Sequence, residues 1–108
     1  MSFAHIENEI EMWGLARGII QNGKPIGQAR KTLEECGELI EAIASNDRQA
    51  IIDAIGDIGV TLLMQCAIQQ ITFTECLEAA YEQIKDRKGF LRPDGVFVKE
   101  GPLQIVGA

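Results

Sequence analysis

Apolar residues recur at helical spacings along most of this chain. Phe3, Ile6, Ile10, Trp13, Leu15, Ala16 and Ile20 predict a first helix over about residues 3–21. Asn22-Gly23 and Pro25 then punctuate the chain. A second helix is expected over about 27–45, with Leu33, Cys36, Leu39, Ile40 and Ile43 as its apolar stripe. "SNDRQ" breaks it, and Asn46 or Asp47 is placed to cap the next helix. That third helix, about 48–70, is apolar almost all the way round, from Ile51 and Ile52 to Cys66 and Ile68. Such a helix calls for cover on every side, and in so short a chain a second subunit is the expected cover. Thr72 to Glu75 has the form of a capping box for a fourth helix. Cys76, Leu77, Ala80, Tyr81 and Ile84 form its inner stripe, and Gly89 ends it. Arg92-Pro93-Asp94-Gly95, flanked by Phe90-Leu91 and Val96-Phe97-Val98, reads as a β-hairpin or an extended arm. Little order is expected after Gly101.

The chain has 108 residues, which fits one all-α domain: a helical core over about 3–88 and a tail over 89–108. Aromatic residues make up only 6%, so the core must be largely aliphatic. The net charge of −6, without any Lys/Arg-rich run, argues against a nucleic-acid polymer as partner. A small phosphate ligand reached through a metal ion remains compatible with that charge. Cys36, Cys66 and Cys76 contain no C-x-x-C pair and read as reduced thiols on apolar stripes. No signal peptide or membrane span is expected, so the reading is a cytoplasmic protein.

The acidic residues change the picture most. "KTLEECGELIEAI" places Glu34, Glu35, Glu38 and Glu41 along about two turns, with Lys31 as the nearby cation. The next helix carries Asp53 and Asp57 one turn apart in "DAIGD". Like charges at these spacings destabilise a helix by about 0.2–0.5 kcal/mol per pair. A hard divalent cation such as Mg²⁺, which takes carboxylate oxygens, would offset the repulsion. Gly37 and Gly56 lie within these clusters, where each costs about 1 kcal/mol relative to alanine. Small residues there would let the two helices, or a ligand, approach closely, and a close crossing would gather Glu35, Glu38, Asp53 and Asp57 around one point. One acidic row alone would be a solvated face; two on consecutive helices favour a metal site. The lone His5 has no partner at ligand spacing, which disfavours a di-iron carboxylate bundle.

"EECGE", followed some twenty positions later by "DAIGD", resembles the E-E-x-x-E … E-x-x-D pattern of MazG-like nucleoside triphosphate pyrophosphohydrolases. The likeness extends over roughly residues 10–100. It implies a four-helix core assembled as a homodimer or a dimer of dimers. It also implies hydrolysis of an NTP or dNTP to the monophosphate and pyrophosphate with magnesium or, alternatively, manganese. Carried over by position, Glu34, Glu35 and Glu38 match the first motif and Asp57 the last aspartate. The glutamate of E-x-x-D is Ala54 here; the acid is Asp53, displaced by about 100° round the helix and one methylene shorter. The resemblance implies Glu35, Glu38, Asp57 and Asp53 as metal ligands, and Glu34 or Glu38 as the group that activates water. Lys31, Lys85, Arg87 and Lys88 are the cations available to phosphates, although lysines at a helix C-terminus often only complement its dipole. Trp13 either stacks on a base or packs in the core. The alternative reading is a non-catalytic MazG-like dimerisation or regulatory module, with Ala54 marking a decayed site.

Overall fold

The structure is a computed structural model that describes residues 1–100. Five helices run α1 (Phe3–Ala16), α2 (Ile19–Asn22), α3 (Pro25–Ala44), α4 (Arg48–Gln69) and α5 (Phe73–Ile84). Strands β1 (Gly89–Leu91) and β2 (Phe97–Lys99) follow. The chain forms two compact units, divided between Phe73 and Thr74.

In the first unit, α4 is the hub against which α1, α2 and α3 pack, with α3 the main partner. Ser2 opens α1 by accepting from the His5 N–H. The expected single helix over 3–21 is two helices. Gly18 adopts φ 74° and donates to Leu15 O, a left-handed C-terminal residue that side chains rarely tolerate. Pro25 occupies the first turn of α3, where its missing N–H costs nothing. At the other end Asn46 takes a left-handed φ of 51°, and Asp47 N–H reaches back to Ala42 O. The Asp47 carboxylate then accepts from Ala50 N–H, capping α4. This short turn folds α4 back along α3.

Met64 is 1% exposed and fills the contact between α4 and Gly14 of α1, where an added Cβ would lie 2.5 Å from its sulfur. Thr61, also buried, ties the two long helices together. Its hydroxyl donates to Ile58 O at 2.7 Å and accepts from Thr32 at 2.9 Å. Gln65 donates to Pro25 O at 2.9 Å and holds the start of α3 to α4.

Expectations about packing faces need correction. The stripe assigned to the interior of α3 is largely open, with Leu33 74% and Ile40 68% exposed. The face towards α4 is instead the one carrying Thr32, Glu35 and Ala42. On α4 itself, Ile52 and Ile55 are more than half exposed. The helix has the length and mean apolarity of a membrane span. Asp53 and Asp57 interrupt it, and three helices pack on it. The second correction concerns glycine. A Cβ on Gly37 or Gly56 would meet no atom within 4 Å, so neither marks a close crossing within the chain.

In the second unit the apolar residues Leu77, Tyr81 and Ile84 of α5 are exposed, not inward as expected. The helix ends at Ile84, ahead of the expected stop at Gly89. The tail is the hairpin, paired antiparallel with Phe90 opposite Val98. Gly95, at φ 86°, makes its turn, and Asp94 accepts from Val96 N–H. The expectation for residues beyond Gly101 lies outside the described residues.

Candidate metal centre

Glu35 projects from the buried face of α3 and is only 7% exposed. Its Oε2 is buried and has no hydrogen-bond partner. Such an oxygen loses its water without replacement, which is costly for an ionised group. Glu38, one turn on, and Asp57, from α4, bring one carboxylate oxygen each to the Glu35 carboxylate. The three oxygens all lie within 4.8 Å of one another. Around a hexacoordinate magnesium ion, oxygens stand about 3 Å apart when adjacent and about 4.2 Å when opposite, so side-chain movements of about 1–2 Å would close this set on an ion. The Glu38 carboxyl is held above the ordinary glutamate value, first by the hydrogen bond it gives Glu35 when protonated, then by the Glu35 charge. Burial adds to this, then the Glu34 charge, while Lys31 opposes it.

The remaining residues of the expected site divide. Glu34 lies outside the three-carboxylate cluster and pairs with Lys31, whose Nζ is 3.4 Å from Glu34 Oε1 and 3.5 Å from Glu35 Oε1. The Glu34 charge is the first cause that holds the Lys31 ammonium above its ordinary value. Asp53 also lies outside the cluster, with Oδ1 accepting from Gln49 at 2.9 Å on its own helix. It does border a trough of 360 Å³ shared with Glu38, Glu41, Asp47 and Asp57, whose lining contains no lysine or arginine. Ala42, Ser45, Ala50 and Ala54 complete that lining. Space is therefore open beside the small side chain of Ala54.

A second cavity, of 280 Å³, adjoins the cluster through Glu35 and Lys31. Trp13, Ile19, Val60 and Met64 make it mainly apolar, and Gln28 and Thr61 add polar groups. Trp13 is 40% exposed, and the Arg17 guanidinium stands 5.0 Å from its ring centroid. Gln28 escaped the reading of the sequence. Its signal was its register, since it precedes Glu35 by seven residues and shares its face of α3. Lys85, Arg87 and Lys88 belong to the second unit, where Lys85 pairs with Glu82 at 2.9 Å and all three are exposed.

Residues 26–90 match the profile of the MazG nucleotide pyrophosphohydrolase domain. The chain belongs to this family. The matched stretch contains every carboxylate of the cluster. In fold, this MazG chain is similar to the cyanophage S-2L MazG-like pyrophosphohydrolase, a structure bound to dGDP and three catalytic Mn²⁺ ions per active site. That similarity has a TM-score of 0.69 at 23% identity, covering 94% of this chain and 99% of the other. The chain is also similar to an 18.2 kDa protein from the rep–hol intergenic region of Haemophilus phage HP1 (strain HP1c1). The two are 36% identical over 55 residues, which is 51% of this chain and 34% of the relative. The match thus spans about a third of that relative's length.

Proposed function

We propose that this chain hydrolyses nucleoside or deoxynucleoside triphosphates to the monophosphate and pyrophosphate with magnesium or manganese. The observation that carries the reading is the buried, unpartnered Oε2 of Glu35 in a three-carboxylate cluster that opens onto a cavity lined by Trp13. Family membership supports it, as does the nucleotide and Mn²⁺ in the cyanophage structure.

Glu35, Glu38 and Asp57 would hold the metal, with Asp53 able to join them from the trough. A divalent ion bound there supplies charge neutralisation to phosphate oxygens and lowers the pKa of coordinated water. Glu34, exposed and outside the cluster, is the freer carboxylate to take a proton from the attacking water; Glu38 is the second candidate. Water adds across the α–β phosphoanhydride, pyrophosphate leaves, and the lost proton passes to that carboxylate. Lys31 stands where it can exchange its glutamate partners for a phosphate oxygen. Lys85, Arg87 and Lys88 are further cations for phosphate, and Trp13 offers a ring face to the nucleoside.

The exposed isoleucines of α4 and the open stripe of α3 favour a homodimer, or a dimer of dimers, as the working form. Cys36, Cys66 and Cys76 form no disulfide among the described residues, which suits a reducing compartment, the cytoplasm. Ala54, at the position of the family's glutamate, favours one second reading: a nucleotide-binding or dimerisation module without turnover. Phosphorus NMR of a panel of NTPs and dNTPs, incubated with the protein and Mg²⁺ or Mn²⁺, decides between them. Monophosphate plus pyrophosphate is expected. Diphosphate plus phosphate would refute the reaction, and no turnover with either metal would leave the module.

A further inference from the structure

Glu35, Lys31 and Gln28 line one side of the 280 Å³ cavity, four and three residues apart on α3. That spacing places them on one helix face, and the seven-residue step from Glu35 to Gln28 is a rise of about 10 Å. The row runs from the carboxylate cluster, past one cation, into the apolar chamber of Ile19, Val60 and Met64. If phosphates lie at Glu35, as the proposed function has it, a nucleotide extended along this face brings its base to Gln28.

Apart from Lys31 and Glu35 at its phosphate end, the polar side chains of that chamber are Thr61, Trp13 and Gln28. The Thr61 hydroxyl spends its only hydrogen on Ile58 O and accepts from Thr32, so it has no donor to offer. The indole N–H of Trp13 can only donate. Gln28 uses one amide hydrogen in a long 3.4 Å bond to Thr61 O. Its Oε1 accepts no hydrogen bond among the described residues, so the carboxamide keeps a donor and an acceptor side by side. We propose that Gln28 is the specificity-determining residue of this site, pairing its carboxamide with an adjacent donor and acceptor on the nucleobase edge. A half-buried amide beside apolar walls discriminates by what an ill-matched base leaves unpaired.

The test ranks kcat/KM for the common NTPs and dNTPs, and for a ribose triphosphate lacking the base, in the wild type, Gln28→Leu and Gln28→Glu. The wild type should rank the bases. Gln28→Leu should lower the value for the best nucleotide by roughly tenfold and leave the baseless compound unchanged, which flattens the ranking. Gln28→Glu keeps an acceptor and loses the donor, so the ranking should change order. Mn²⁺ affinity should stay constant in the uncharged variant Gln28→Leu. An unchanged ranking in Gln28→Leu overturns the inference alone. So does an equal fall for every substrate, the baseless one included, which marks a structural role. A wild type that neither turns over nor binds any nucleotide overturns the proposed function and this inference together.

Discussion

A carboxylate that is 7% exposed, with one oxygen lacking any partner, is a liability in a chain with so few buried side chains. Lys31 compensates Glu35 only in part, from 3.5 Å on the exposed edge, and divides itself with Glu34. It therefore competes with any divalent cation. Lys31→Met should bind Mn²⁺ several-fold more tightly by calorimetry while raising KM for nucleotide; weaker Mn²⁺ binding would show that Lys31 organises the cluster instead. Glu38 gives the pH dependence. Its folded-state pKa is raised, so without metal the native state holds more protons than the unfolded state just above the ordinary glutamate value of 4.5. Its contribution is full below 4.5 and is lost as pH rises through the raised value. Thermal melts without metal should thus show Glu38→Gln gaining stability over wild type as pH rises from about 4.5 to neutrality. A difference that does not vary with pH would contradict the cause given.

At the scale of elements, α4 shows what helical pattern reveals and what it hides. Gly56 lies one turn from Ile52, more than half exposed, and a Cβ on it meets nothing in its own chain. If that face were free, Gly56→Ala would stabilise the helix by about 1 kcal/mol. A second copy seated there would make the same substitution destabilising, and chemical denaturation distinguishes the signs. The α3–α4 hairpin was legible because Asn46 and Asp47 end one helix and cap the next. The carboxylate rows were legible because a period of 3.6 residues fixes which acids share a face. Phase was not legible: Leu33 and Ile40 looked like the inner stripe of α3, yet Thr32, Glu35 and Ala42 take that place. An open apolar face and a buried one have the same spacing. The break at Gly18 was missed because the apolar pattern continues through it to Ile20, while the backbone turns left-handed. Asp53 and Ala54 differ by one position in sequence, and only coordinates show the aspartate bound to Gln49 beside the trough.

For the whole molecule, the balance of buried and exposed apolar surface argues for self-association. Among the described residues, the buried apolar side chains are Ala42, Ala54, Met64 and Cys66, whereas large ones remain open on α3, α4 and α5. Light scattering behind size exclusion should give at least a dimer, and Ile55→Lys should shift it towards monomer; a monomeric wild type would refute the dimer. The proposed function requires that Glu35 is buried in order to hold a cation. Its most direct test is the melting temperature of wild type and Glu35→Gln titrated with Mn²⁺. Ligand linkage predicts a wild type stabilised by about 2.7 kcal/mol at a hundredfold excess over Kd, and a variant that folds but does not respond. An equal response from both proteins, or none from the wild type, would contradict the account.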